Sequence, residues 1–262
     1  MKIKKKSGLV NGIRKGLILA DAQIPYQIDM RPVERYMVDL QPDVLFYLGD
    51  WLDMTSLLRW NSIRPGDIDW DEIRAEVDVA NDMLDRHQML LKTRWNSIEK
   101  HFFFGNHELR LYSFREANPE YLRKNRDVVP ELIRDLKLKE RGFQVHFQND
   151  LVNVGKVYFT HGSDWSTFCT RKMLADYEVN LCFGHIHSPQ RWTKVARVNR
   201  APKSAWAVGC LCNRNPDWKG GLPNSWVHGF ATAYFWPDGN FNLFPTDIIK
   251  GKFVAPSGKF YD

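Results

Sequence analysis

The sequence predicts an α/β layered domain. Short β-rich runs alternate with helical patterns over the first two thirds of the chain, and the last third turns mostly strand-like. At 262 residues and 44% hydrophobic content, the chain can also bury one full core. Residues 9–262 therefore read as a single domain behind a basic, flexible tail at 1–8, with no internal repeat between them.

Residues 16–20 read as a first strand, 31–40 as a helix with Pro32 in its opening turn, and 44–48 as a second strand. Over 69–92, apolar Ile73, Val77, Val79, Met83, Leu84 and Leu90 recur between charges, the pattern of a long amphipathic helix. Residues 101–104, 156–160 and 181–183 read as further strands. Beyond Ser204, residues 205–211, 230–236 and 241–244 look like antiparallel strands, with Pro237-Asp238-Gly239 turning between the last two. Residues 54–69 form the longest early insertion and a candidate substrate-facing flap.

Composition excludes some classes. The longest apolar runs fall far short of the roughly 20 residues a membrane-spanning helix needs, so no membrane is expected. The basic start lacks the apolar stretch of a secretory signal, which predicts a cytoplasmic protein. Lys2, Lys4, Lys5 and Lys6 supply four units of the net charge of +6, so the charge is a weak pointer to nucleic acid. Cys169, Cys182, Cys210 and Cys212 are too sparse for a disulfide framework and read as small buried core residues. Cys210-Leu211-Cys212 lacks the second pair that a structural zinc site needs.

The chemically informative residues gather at the carboxyl ends of the predicted strands, where open α/β sheets place their ligands. In chain order they are Asp21-Ala22-Gln23, Gly49-Asp50-Trp51-Leu52-Asp53, Gly105-Asn106-His107-Glu108, His161-Gly162 and Gly184-His185-Ile186-His187. Hydrolysing a phosphate ester at neutral pH requires neutralised phosphoryl oxygens and a hydroxide made from water, and two divalent ions about 3.5–4 Å apart supply both. Such a pair needs hard oxygen and imidazole ligands and a bridging carboxylate. Asp21, Gln23, Asp50, Asn106, His161, His185 and His187 provide that inventory. A lone Asp or His at a strand end is more often a satisfied polar group; the ordered set reverses that reading.

In these blocks the chain resembles the calcineurin-like metallophosphoesterases, whose pattern runs D-x-H, G-D-x-x-D, G-N-H-E, a single H, and G-H-x-H. Four of the five blocks match, in order, between residues 21 and 187. The resemblance implies a four-layer α/β/β/α sandwich with two mixed β-sheets, and hydrolysis of phosphate esters by a hydroxide formed at two divalent metal ions, Mn²⁺ before Mg²⁺, Fe, Zn²⁺ or Ni²⁺. It implies that Asp50 bridges the ions, that Asp21 and His187 serve the first, and that Asn106, His161 and His185 serve the second. It implies as well that His107 gives a proton or hydrogen bond to the phosphate or leaving oxygen, oriented by Asp53, which is general acid chemistry braced by a carboxylate. Arg110 and Trp226-Val227-His228-Gly229-Phe230 look like the small phage and prophage members, which implies a bacterial or phage-infected cell.

Gln23 departs from the pattern, standing where the family has histidine. Its amide is either a weak, hard metal ligand or a hydrogen-bond partner of a metal-bound water. Met54 follows Asp53, where protein phosphatases of the superfamily carry arginine, so a phosphodiesterase or a small-molecule phosphatase is favoured. Nucleic acid or a nucleotide is the alternative substrate: Arg110, Arg115, Arg123, Lys124 and Arg126, with Arg191, Lys194, Arg197, Arg200 and Lys203, could hold a phosphate backbone while Trp51, Trp60 or Trp165 stacks a base. Such runs are more often solvated faces. A reading from another class is a scaffold that keeps the fold without catalysis, as the phosphoesterase-like retromer subunit does. His87, His101 and His146 read as core or surface residues, and His228 as a candidate for the pocket.

Overall fold

Alternation along the first strand sets the architecture. In β1 (Arg14–Leu19), Leu17 and Leu19 point one way and Ile18 the other, followed by Ala20, and all four are fully buried. A strand buried on both faces reads as one apolar run and belongs in the middle of a sandwich. The same alternation recurs where α1 (Arg31–Leu40) leads into β2 (Val44–Tyr47), and where α2 (Trp70–Leu90) leads into β3 (Glu99–Phe103). Leu45, Tyr47 and Phe102 join Leu17 and Leu19 in a core shared with Val33, Met37, Ile73 and Leu84 of α1 and α2. Val44, Phe46 and Phe103 face the opposite side with Ile18. The structure, a computed structural model, describes residues 12–57, 64–198, 201–215 and 223–262; the basic tail predicted at 1–8 lies outside them.

The chain continues through α3 (Asn106–Ala117), α4 (Pro119–Lys124) and α5 (Leu132–Asp135) to the edge strand β4 (Gln144–His146). The second sheet begins with β5 (Val152–Val154) and β6 (Val157–Thr160), and after α6 (Cys169–Tyr177) adds β7 (Leu181–Phe183), β8 (Gln190–Val195) and β9 (Pro202–Ala207). The chain then returns to the first sheet with β10 (Gly229–Phe235) and β11 (Phe241–Asp247), and ends in a small pair, β12 (Phe253–Val254) and β13 (Phe260–Tyr261). The first sheet runs β11-β10-β1-β2-β3-β4 and the second β5-β6-β7-β9-β8. In the first, β1, β2, β3 and β4 run parallel and β10 and β11 form an antiparallel margin on one side; in the second, β6, β7 and β9 run parallel between the antiparallel margins β5 and β8. Val157, Phe159 and Cys182 pack against Ile18, Phe46 and Phe103, while Leu181 and Phe183 turn away to Met173 and Leu174 of α6. The layers are therefore helices, mixed sheet, mixed sheet, helix, as the resemblance implies.

One strand prediction needs correction. The apolar run at 205–211 is not a single strand of the antiparallel group. Its first half is the end of β9, parallel to β7 through Leu181↔Ala205 and Phe183↔Ala207. Its second half leaves the second sheet and crosses to the first, where the Leu211 amide donates to the Ala20 carbonyl at 3.2 Å and Cys210 bridges to His228. Both halves are buried, so hydrophobicity does not mark the change of sheet. The other apolar segments form strands or helices near their predicted bounds, and Asp69 caps α2 by accepting the Glu72 amide at 2.9 Å.

Registry decides where the strands deliver their ends. Leu19 pairs with Tyr47 and Tyr47 with Phe102, so 20–21, 48–50 and 104–106 leave the first sheet along one edge. Thr160 pairs with Phe183, so 161 and 184–187 leave the second sheet together. The edges are held face to face by Phe46, whose ring stacks on Phe159 with centroids 4.0 Å apart. Phe46→Ala is expected to cost about 3–5 kcal/mol in urea unfolding; a loss under about 1 kcal/mol would contradict this account of the inter-sheet core.

At the far end of β3, Glu99 accepts from His101 and Arg14. The His101 hydrogen bond, opposed by burial and helped by Arg14, pushes its carboxyl down to about 2 from an ordinary 4.5. A depressed acid contributes stability above its unfolded pKa and loses it as pH falls through the folded one. Stability of the native protein should therefore decline from pH 4.5 toward 2, more steeply than in Glu99→Gln; parallel curves would remove Glu99 from the account.

Candidate metal centre

The exits of β1 and β2 are stitched together before any side chain is considered. The Asp21 amide donates to the Gly49 carbonyl at 3.1 Å, Gln23 to Asp50 at 2.9 Å, Ile24 to Trp51 at 2.8 Å, and Asp53 back to Ile24 at 3.0 Å. This packing forces Asp21, Gln23 and Asp50 to φ of 55°, 46° and 47°, and His185 and His187 take 71° and 58°. Five non-glycine residues in the left-handed region at one edge mark a site held under strain. Gly105 is required for closeness: a Cβ there would lie 2.1 Å from Asp50 Oδ1.

Seven residues predicted from the sequence as metal ligands converge here, together with the predicted pair His107 and Asp53. Among the described residues, the ligand atoms of Asp50, His161 and His185 lie within 4.8 Å of one another, and so do those of Asp21, Asp50 and His187. Asp50 is common to both groups. His187 Nε2 is 3.3 Å from Asp21 Oδ1, and the His185 amide donates to both Asp21 oxygens at 3.1 and 3.0 Å. Asn106 joins through Oδ1, 3.2 Å from His161 Nε2.

The ring of His161 shows what this donor set suits. Its Nδ1 donates to the Leu48 carbonyl at 2.6 Å, which leaves the Nε2 lone pair free. Around Nε2 stand Asn106 Oδ1 at 3.2 Å, His185 Nδ1 at 3.2 Å and Asp50 Oδ2 at 3.5 Å. Electron pairs converging on one point call for a cation or a proton. Burial lowers the His161 pKa, but the Asp50 carboxylate outweighs it and raises the imidazole to about 9. His185 goes the other way, down to about 4, through burial and the neighbouring His161. Burial would push Asp50 up, yet His107 and His161 hold it well below the ordinary carboxylate range. The residues fit two hard divalent ions sharing Asp50.

His107 sits beside this cluster on the first turn of α3. Its amide donates to Asp50 Oδ1 at 2.9 Å, and its Nδ1 donates to the Asp53 backbone carbonyl at 2.8 Å, with the Asp53 carboxylate further off at 3.4 Å. The brace on His107 is thus the Asp53 main chain first and its side chain second. His107 Nε2 faces Asp50 Oδ2 at 3.7 Å and accepts from the Gln23 amide nitrogen at 3.3 Å. Burial lowers the His107 pKa, but Asp50 and then Asp53 outweigh it and the net direction is up. Arg110, one turn on, reaches the same Asp53 carbonyl at 3.4 Å.

Glu108 carries no role in the sequence, and Cys210 and Cys212 only that of buried core residues. Glu108, fully buried, accepts from the amides of Asp50 at 3.1 Å, Leu52 at 2.9 Å and Gly105 at 2.8 Å, so one carboxylate fixes the Asp50 loop and caps α3. Burial and the Asp50 charge push it up to about 7 against the Leu52 and Gly105 amides. A glutamate three residues past a helix start is the signal that could have found it. Cys210 and Cys212 are buried as expected, as are Cys169 and Cys182, yet their sulfurs and His187 also lie within 4.8 Å of one another. Cys212 Sγ is 3.8 Å from His187 Nδ1, behind the nitrogen that faces Asp21.

The remaining expectations divide. Trp51 is fully buried, edge-on to Tyr47 at 4.5 Å, so it cannot stack a base. Trp60 and Arg200 lie outside the described residues, as does the middle of the 54–69 flap, whose start is tied down by Glu76 accepting the Met54 and Thr55 amides at 2.7 and 3.1 Å. Arg115 donates to the Pro130 carbonyl at 2.7 Å and Lys194 pairs with Glu178 at 3.8 Å, as solvated faces do. His87 is a core residue bonded to the Tyr47 hydroxyl at 2.7 Å, and His101 and His146 bond each other at 3.0 Å away from the site.

Removing the Glu108 carboxylate leaves three amide donors without their acceptor, at about 1–3 kcal/mol each where they stay dry. Glu108→Ala is expected to lose several kcal/mol in chemical denaturation and to weaken metal binding in a calorimetric titration, with Glu108→Gln intermediate. Native-like stability and affinity in Glu108→Ala would refute its role as the support of the Asp50 loop.

No family model matches this sequence, and no curated protein matches it. Among solved structures, the chain is similar to a dimetal phosphatase from Danio rerio, at 12% identity and a TM-score of 0.42, over 88% of this chain and 95% of that one. It is similar also to Vps29 from Chaetomium thermophilum, at 11% identity and a TM-score of 0.37, over 88% of this chain and 96% of that one.

Proposed function

We propose that this chain hydrolyses phosphate esters at a pair of divalent metal ions. The observation that carries the reading is the sharing of Asp50 by two donor groups, with a fourth histidine, His107, braced beside the same carboxylate. Asp21, Asp50 and His187 would hold one ion, and Asp50, Asn106, His161 and His185 the other. Bound there, the ions would neutralise phosphoryl oxygens and lower the pKa of the attacking water.

The protein's own residues do the rest. His107, with its pKa raised and its Nδ1–H held by the Asp53 carbonyl, presents Nε2 as the proton donor to the leaving oxygen. Gln23 bears on that nitrogen, so we assign it to orienting His107 in preference to ligating metal. An amide can turn its nitrogen toward the neutral ring or its oxygen toward the protonated one, and so suits both states of a proton donor. Arg110 adds a charge on the same face of α3 for a phosphoryl group.

The ligand set mixes carboxylate and amide oxygens with three imidazoles, which suits divalent first-row ions, and among them we propose Mn²⁺ first. We propose a phosphodiesterase or small-molecule phosphatase, with a nuclease as the nearest alternative; the affinity with small phage members rests on the sequence around Arg110 and Trp226. Among the described residues no helix is long and apolar enough to cross a membrane.

Metal-stripped protein should regain cleavage of bis(p-nitrophenyl) phosphate or p-nitrophenyl phosphate with Mn²⁺, and lose it in Asp50→Asn. His107→Ala should lower kcat by about 10²–10⁴-fold while the rise in Tm on adding Mn²⁺ persists. A Tm rise with every metal tested and turnover with none would sink the enzyme reading and favour a scaffold of the same fold.

A further inference from the structure

One aromatic side chain beside the metal centre is left in solvent. Trp165 is 82% exposed, whereas Trp51, Trp70, Trp95 and Trp206 are buried. A single exposed aromatic residue is ordinary in itself. This one differs in how it is held and in what it adjoins. The segment from Gly162 to Phe168 leaves β6 directly after His161 and runs into α6. On one side, the Gln148 amide donates to the Gly162 carbonyl at 2.8 Å. On the other, the Asp164 carboxylate accepts the Ser166 amide at 2.8 Å, takes the Ser166 hydroxyl, and pairs with Lys172 of α6. The backbone is thus pinned on both sides of a ring that stands free. That ring lies 6.3 Å, centroid to centroid, from the ring of His185. Phe168, three residues on, is 67% exposed.

We propose that Trp165 is a stacking surface for a nucleobase, so that the phosphate esters taken by this site are nucleotides. The inference rests on the two-metal reading of the same site. A phosphoryl group held among His161, His185 and Asn106 would lie beside the ring that Trp165 adjoins, and in a nucleotide a single sugar separates phosphate from base. A flat base gains about 1–3 kcal/mol from stacking on an aromatic side chain; an aliphatic ester has no such face to offer. Since the indole recognises only a π-face, all four bases should bind comparably.

The test is calorimetric binding of AMP, ribose 5-phosphate and inorganic phosphate to the Mn²⁺-loaded protein, its Trp165→Ala variant and its Trp165→Phe variant. AMP should bind native protein about 5- to 150-fold more tightly than ribose 5-phosphate, the range that 1–3 kcal/mol converts to. Trp165→Ala should bring AMP down to the ribose 5-phosphate value without moving the other two ligands, and Trp165→Phe should keep part of the preference. GMP, CMP and UMP should follow AMP within a few-fold. Equal binding of AMP and ribose 5-phosphate by native protein, or an AMP preference that survives Trp165→Ala, overturns the proposal. Phosphate binding without base preference sinks it alone, whereas absence of phosphate binding and of turnover sinks the two-metal reading beneath it. A thymidine oligonucleotide separates the sources of the base: affinity that grows with length and falls steeply with salt indicates a strand end, and length-independent affinity a free nucleotide.

Discussion

The buried carboxylate of Asp50 is the constraint around which the rest is arranged. An ionised group out of water is costly unless it is paired and hydrogen-bonded, and Asp50 meets both conditions through His107 and His161. Its position is in turn set by a second buried carboxylate, Glu108, on its own amide. Burial and the neighbouring Asp50 charge push Glu108 up, while His107 and His161 hold Asp50 down. The arrangement is an excess of electron pairs that only positive charge can reconcile, and that is the property a metal centre needs before any metal arrives.

That excess is assembled by geometry that has little to do with charge. Side-chain alternation in β1, β2 and β3 buries both faces of the first sheet, and Phe46 on Phe159 presses the second sheet against it. Parallel registry then brings five strand exits to one place. The left-handed backbone at Asp21, Gln23, Asp50, His185 and His187 is the local cost of turning three of those exits, after β1, β2 and β7, sharply at that edge.

Much of this was legible in the sequence because it is written locally. Apolar runs marked the central strands, the 31–40 helix was readable from its pattern and Pro32, and motif blocks at the strand ends marked the residues that converge at one edge. What was not legible depends on contacts between distant segments. The buried run at 205–211 reads as one strand because burial is uniform on either side of the place where it changes sheets. Trp51 and Trp165 have the same composition-level meaning, and only packing makes one a core anchor and the other a free surface. Gln23 could not be assigned from its place in a motif, since its partner, His107, is brought to it by a separate helix. The cysteines were read correctly as buried, but burial alone did not say that Cys212 lies behind His187.

Each donor group draws on both sheets. Asp21 and Asp50 leave the first, His161, His185 and His187 the second, and the crossing segment at 210–212 touches both. A chain with its two sheets formed but undocked would own only fragments of either ligand set. Affinity for divalent ions would then belong to the docked state alone, and ion uptake during refolding would report the moment at which the halves of the sandwich close.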